Sequence, residues 1–123
     1  MSIRVQVDRL GEEVATRGTA CFVVTVGADG RPKIHHGTVA WSGDTGQLLA
    51  EVGRGTARNA TERPDITLLW PAPDADPELL HLLIDGKAIA ADPDGDPATI
   101  TIVPSSAIRH RVAGDAHHCG PTG

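Results

Sequence analysis

The sequence predicts a small, β-dominated α+β domain: a six-stranded antiparallel barrel with a lid helix and a second short helix between its third and fourth strands. Three observations carry this reading. Apolar, β-branched runs recur at 20–26, 32–41, 47–52, 66–70, 79–90 and 98–103, each bounded by Gly, Pro, Asp or Ser. Most connections between them are short turns, which only antiparallel neighbours can use. A chain of 123 residues can bury one core and not two, and closing the sheet buries that core while leaving no exposed strand edges.

Each element follows from local chemistry. Val7, Leu10, Val14 and Ala15 recur at helical spacing, with Asp8, Arg9, Glu12, Glu13 and Arg17 opposite them, so residues 6–17 form a helix that Gly18 stops. Its apolar stripe is narrow, which suits a lid on one end of a sheet. Cys21-Phe22-Val23-Val24-Thr25-Val26 is a strand apolar enough to be covered on both faces. Asp29-Gly30 supplies the positive φ of a hairpin turn into the strand from Pro32 to Trp41. Ser42 to Gly46 turns the chain again, into the strand at 47–52.

Gly53-Arg54-Gly55-Thr56-Ala57-Arg58-Asn59-Ala60 then reads as a turn and short helix, and Pro64-Asp65 leads into the strand that ends at Trp70. Three prolines make 71–77 a loop. The run from Leu79 to Ala90 is one long strand, bent at a bulge by Gly86. Asp92 to Asp96 is a turn, and 98–103 alternates with period two. Pro104 is expected to end that strand, leaving 105–111 as a short turn or edge segment. The domain is expected to span 1–112, with 113–123 a small, polar, flexible tail.

Composition narrows the function. A net charge of −5 argues against nucleic acid, whose phosphates demand cationic surfaces. No apolar run approaches the roughly 20 residues a membrane helix needs, and the expected location is the cytoplasm. Cys21 and Cys119 make no disulfide framework, and Cys21 reads as a small buried hydrophobe. Asp92, Asp94 and Asp96 lack the downstream glutamate of a calcium loop. His110, His117, His118 and Cys119 lack paired zinc spacing, so no metal site is expected.

The most informative stretch is 53–60. Arg54, Gly55, Thr56, Arg58 and Asn59 crowd the beginning of a helix, where unpaired backbone N–H groups already favour an anion. This is a phosphate cradle without the lysine or spacing of a Walker loop. His35 and His36 are adjacent on a strand and point to opposite faces, so one of them can face a ligand; the sequence leaves open which. No nucleophile elbow is present, and no catalytic side chain is assigned.

Taken together, the Thr56-Ala57-Arg58-Asn59-Ala60 and Arg63-Pro64-Asp65-Ile66-Thr67-Leu68 segments, with the Asp29-Gly30-Arg31-Pro32 hairpin, resemble the split-barrel flavin-binding proteins related to pyridoxamine 5′-phosphate oxidase, whose relatives include users of the deazaflavin F420. The resemblance implies a homodimer with a cofactor, FMN or alternatively F420, at each of two interface sites. The phosphate-binding turn would fall on Arg54, Gly55 and Thr56, with Arg58 and Asn59 behind it, and the strand beneath the ring on His35, His36, Gly37, Thr38 and Val39. It also implies oxidoreduction of a small molecule. The alternative is a non-catalytic protein holding a flavin, haem or other ligand on the same fold. This chain carries Thr56 and Ala57 where the family often has lysine, and His35 and Ala40 where the oxidase has arginine and lysine. It also has no room for the oxidase's extra carboxy-terminal segment, so oxidation of pyridoxamine phosphate is disfavoured.

Overall fold

The computed structural model describes residues 2–74 and 80–111. In chain order it contains β1 (Ser2–Val5), a 3₁₀ turn (Val7–Arg9), α1 (Leu10–Arg17), β2 (Ala20–Val26), β3 (Pro32–Ser42), β4 (Gln47–Val52), α2 (Arg54–Glu62), β5 (Asp65–Trp70), β6 (His81–Asp92) and β7 (Ala98–His110). All strand pairings are antiparallel, in the order β7-β4-β3-β2-β5-β6, and β6 pairs back with β7 to close a six-stranded barrel. Closure gives every barrel strand two neighbours, which is how so short a chain satisfies its ladder hydrogen bonds.

Period-two alternation fills the interior. Val23, Val39, Leu48, Ala50, Leu68, Trp70, Leu82, Ile84, Ile100 and Ile102 are all buried and come from all six barrel strands. Helix α1 lids this core with Leu10 and Val14. It approaches β3 closely because Gly11 has no side chain: a Cβ there would stand 2.7 Å from Trp41 Nε1. Trp70 is buried, and its indole N–H donates to the Gly18 carbonyl at 3.0 Å, tying β5 to the end of the lid helix.

Three expectations are corrected. The 98–103 strand does not stop at Pro104 but runs to His110. Proline is tolerated there because Pro104 stands opposite Gly86 at a register shift, where the ladder needs no N–H from it. That bulge requires glycine, since a Cβ on Gly86 would sit 2.6 Å from the Val103 carbonyl oxygen. Second, a seventh strand, β1, pairs with the far half of β7, at Ala107 to His110, beyond the stretch that β4 occupies. Third, β2 is not covered on both faces: Cys21, Val23 and Thr25 are buried, whereas Phe22, Val24 and Val26 are half-buried on the outside. The expected tail at 113–123 lies outside the described residues.

Cys21 shows how this interior treats a titratable group. Its thiol is 1% exposed, and burial pushes its pKa from 9.0 up to about 12. The unfolded chain therefore releases this proton near pH 9 while the folded chain retains it, so the thiol's contribution is intact below pH 9 and is lost as pH rises towards 12. The stability difference between wild type and Cys21→Ala, from urea midpoints, is expected to be flat at neutral pH. Above pH 9 it should move against wild type, by at most about 1.4 kcal/mol per pH unit. A difference that stays flat to about pH 11 would show the thiol to be solvated.

Candidate functional site: the turn between β4 and α2

Strand β4 ends at Val52 and the chain turns through Gly53 into α2. Only Thr38 to Ser42 of β3 pair with β4, so the Pro32–Gly37 half of β3 has β2 on one side and, among the described residues, no strand on the other. At Gly37, just past the last β3–β4 pair, the strands are still close enough that a Cβ would meet the Glu51 carbonyl oxygen at 2.9 Å. The Gly53 turn that opens α2 lies against this half of β3, with His35 Cε1 3.5 Å from a Cβ position on Gly53. Gly53 is the N-cap in extended conformation, with no side chain capping the helix. The first backbone bond runs from Ala57 N–H to the Gly53 carbonyl at 3.1 Å, so the amides of Arg54, Gly55 and Thr56 precede the helical ladder.

The electrostatics of this helix are unusual. A helix amino terminus carries partial positive charge and favours acidic residues. Here the first turn holds none. Arg54 and Arg58 instead lie one turn apart, both exposed, and neither has a hydrogen-bond or ion-pair partner among the described residues. Two like charges at i and i+4 repel, and both oppose the helix dipole. The arrangement costs the isolated protein stability and suits an anion. Open space surrounds Gly55, which has nothing within 4 Å of a Cβ position.

The two histidines separate as their strand parity requires. His35 shares the inward parity of Gly37 and Val39, is half-buried, and brings its Cε1 to 3.5 Å from a Cβ position on Gly53, so its ring lies against the turn. His36 is exposed on the outer face with Ile34, Thr38 and Ala40, its ring centroid 5.2 Å from that of Phe22 across the ladder. Thus the His35 ring lies against the Gly53 turn that leads into Arg54, Gly55 and Thr56, with exposed Arg58 one turn further along α2, while Gly37 shares the inward parity of His35, and His36 and Thr38 lie on the outer sheet surface. Asn59 departs from this group. Its amide donates to Thr25 Oγ1 at 3.2 Å, and its carbonyl faces Arg63.

Sequence reasoning missed Phe22, Thr25 and Arg63. A nearly all-apolar run gives no sign that the Phe22 ring meets a histidine, and Arg63 reads as an ordinary charged residue before a proline. No group of three or more metal-binding side chains forms among the described residues. His117, His118 and Cys119 lie outside them. No described helix is long and apolar enough to cross a membrane.

An F420 reductase of known structure superposes with a TM-score of 0.60 over 74% of this chain and 90% of its own, at 20% identity. A crystal structure from Listeria innocua, provisionally described as a pyridoxamine 5′-phosphate oxidase, gives 0.61 over 83% and 96% at 14% identity. At these identities the likeness is one of fold: the chain is a split β-barrel of the kind seen in both proteins. No family model matches it. Two mycobacterial proteins without assigned activity, from Mycobacterium bovis and Mycobacterium tuberculosis, are each 42% identical to it over 64 residues, 50% of this chain and 44% of theirs. The chain therefore spans less than half the length of the curated relatives it matches.

Proposed function

We propose that this chain binds FMN, with F420 the alternative, at the β4–α2 turn and acts as a flavin- or deazaflavin-dependent oxidoreductase on a small organic molecule. The observation that carries the proposal is the uncapped α2 terminus, whose N-cap Gly53 lies against the His35 ring and whose Arg54 and Arg58 have no partner among the described residues. Arg54, Arg58 and the first amides of α2 would hold the cofactor phosphate, with the His35 ring beside them. Such a cofactor supplies hydride or electron transfer from its own ring, leaving the protein to bind and orient it. Cys21, buried and held protonated, has no part in the chemistry. FMN is favoured over F420 because the longer anionic tail of F420 wants a cationic groove and the chain carries a net −5.

A homodimer with the cofactor at its interface, in the cytoplasm, belongs to the same proposal. It is supported by an outward apolar face on neighbouring strands, where Phe22 pairs with Leu69, Val24 pairs with Ile34, and Ile34 is 70% exposed. Covering such a face is what an obligate dimer does.

The deciding experiment is the visible spectrum of freshly purified protein, followed by titration with FMN, F420 and riboflavin. A flavin or deazaflavin band, with FMN or F420 held more tightly than riboflavin, supports the proposal. A haem Soret band, or no binding of any of the three, overturns it. Turnover of reduced cofactor separates an oxidoreductase from a protein that only holds its ligand.

A further inference from the structure

Helix α2 is fastened to β2 by polar side chains. Thr25 is fully buried inside the barrel, and its hydroxyl oxygen accepts from Asn59 Nδ2 at 3.2 Å. Arg63, at the end of α2, donates from Nε to the Val26 carbonyl at 2.6 Å and brings a second nitrogen to 3.5 Å from Asn59 Oδ1. Ala57 and Ala60 are the buried residues of α2, which also packs against β6 and β7, and both are too small to fix the rotation of a helix by shape alone. Asn59 follows Arg58 directly, so the rotation that seats Asn59 on Thr25 also sets where Arg54 and Arg58 project.

We propose that Thr25, Asn59 and Arg63 are positioning residues that fix the height and rotation of α2 over β2, so that selectivity for a phosphorylated cofactor depends on them although none touches the phosphate. The inference rests on the FMN reading above. It gives Asn59 a different task from the ligand role that its neighbours in sequence suggest.

The test uses the full chain with the isosteric change Thr25→Val and the hydroxyl-keeping change Thr25→Ser, with FMN and riboflavin affinities measured by flavin fluorescence. Loss of one buried hydrogen bond is expected to weaken FMN about tenfold and riboflavin less than about threefold. Thr25→Ser, which restores the hydroxyl, should return FMN affinity to near wild type. Asn59→Ala gives the same readout without altering the barrel interior, should Thr25→Val fail to fold. In the cofactor-free protein, hydrogen exchange of residues 54–62 should quicken in both weakened variants while exchange in β4 stays unchanged. Equal losses for the two flavins would make the effect one of general stability and overturn the inference. If wild type prefers FMN and the variants retain that preference, the clamp fails alone. A wild type that holds FMN no better than riboflavin refutes the phosphate reading and the clamp together.

Discussion

Trp70→Ala is expected to be among the most damaging single changes to this fold, costing about 3–5 kcal/mol, the range for removing a fully buried large aromatic. Trp70 is 1% exposed and is the largest of the fully buried side chains. It also leaves a debt that is not apolar: the Gly18 carbonyl loses its 3.0 Å indole donor, which adds about 1 kcal/mol where water cannot replace it. Small domains are stable by roughly 5–15 kcal/mol in all, so the variant stands near the edge of folding. Trp70→Phe keeps much of the volume and should lose about 1–2 kcal/mol. Trp41→Ala is the control, because Trp41 is only partly buried, against Gly11 at the rim. Urea unfolding followed by far-UV circular dichroism measures all three. A smaller loss for Trp70→Ala than for Trp41→Ala would mean that the barrel core is organised elsewhere.

Much of this architecture is legible in the chain because it is local. Apolar, β-branched runs mark the six barrel strands, Asp29-Gly30 marks the first hairpin, and Gly86 marks its bulge. Other features depend on partners distant in sequence. Ser2-Ile3-Arg4-Val5 is too short to signal a strand, and it becomes β1 only because β7 extends beyond β4 and offers a free edge. Pro104 reads as a strand end by the local rule, and the rule fails because Gly86 lies across from it. The candidate site divides in the same way. A glycine-led turn followed by arginines is visible as a motif. Which of two adjacent histidines lies beside it depends on barrel parity, and the turn of Asn59 towards Thr25 depends on the rotation of a helix.

Arg54 and Arg58 are expected to affect cofactor binding and folding in opposite directions, and that opposition makes them the sharpest probe of the proposed site. Each guanidinium would give charge-assisted, fork-shaped hydrogen bonds to a phosphate, so replacing either with alanine should weaken FMN by about 1.5–3 kcal/mol. Riboflavin lacks the phosphate and should lose little. The double variant should lose less than the sum of the single losses, since two cations one turn apart share one anion. Lysine at either position keeps the charge but not the fork, and should fall between wild type and alanine. Raising the salt concentration should weaken FMN in wild type and change little in the double variant. The cofactor-free protein should respond the other way. Both side chains are exposed without partners among the described residues, they repel each other, and both oppose the dipole of α2. Removing one should leave the thermal midpoint unchanged or raise it slightly, by a few tenths of a kcal/mol in stability. Residues retained for the fold alone would destabilise the protein on removal and cost both flavins alike. A lowered midpoint together with equal losses for FMN and riboflavin would place these arginines in the structure of α2 and remove the phosphate from this turn.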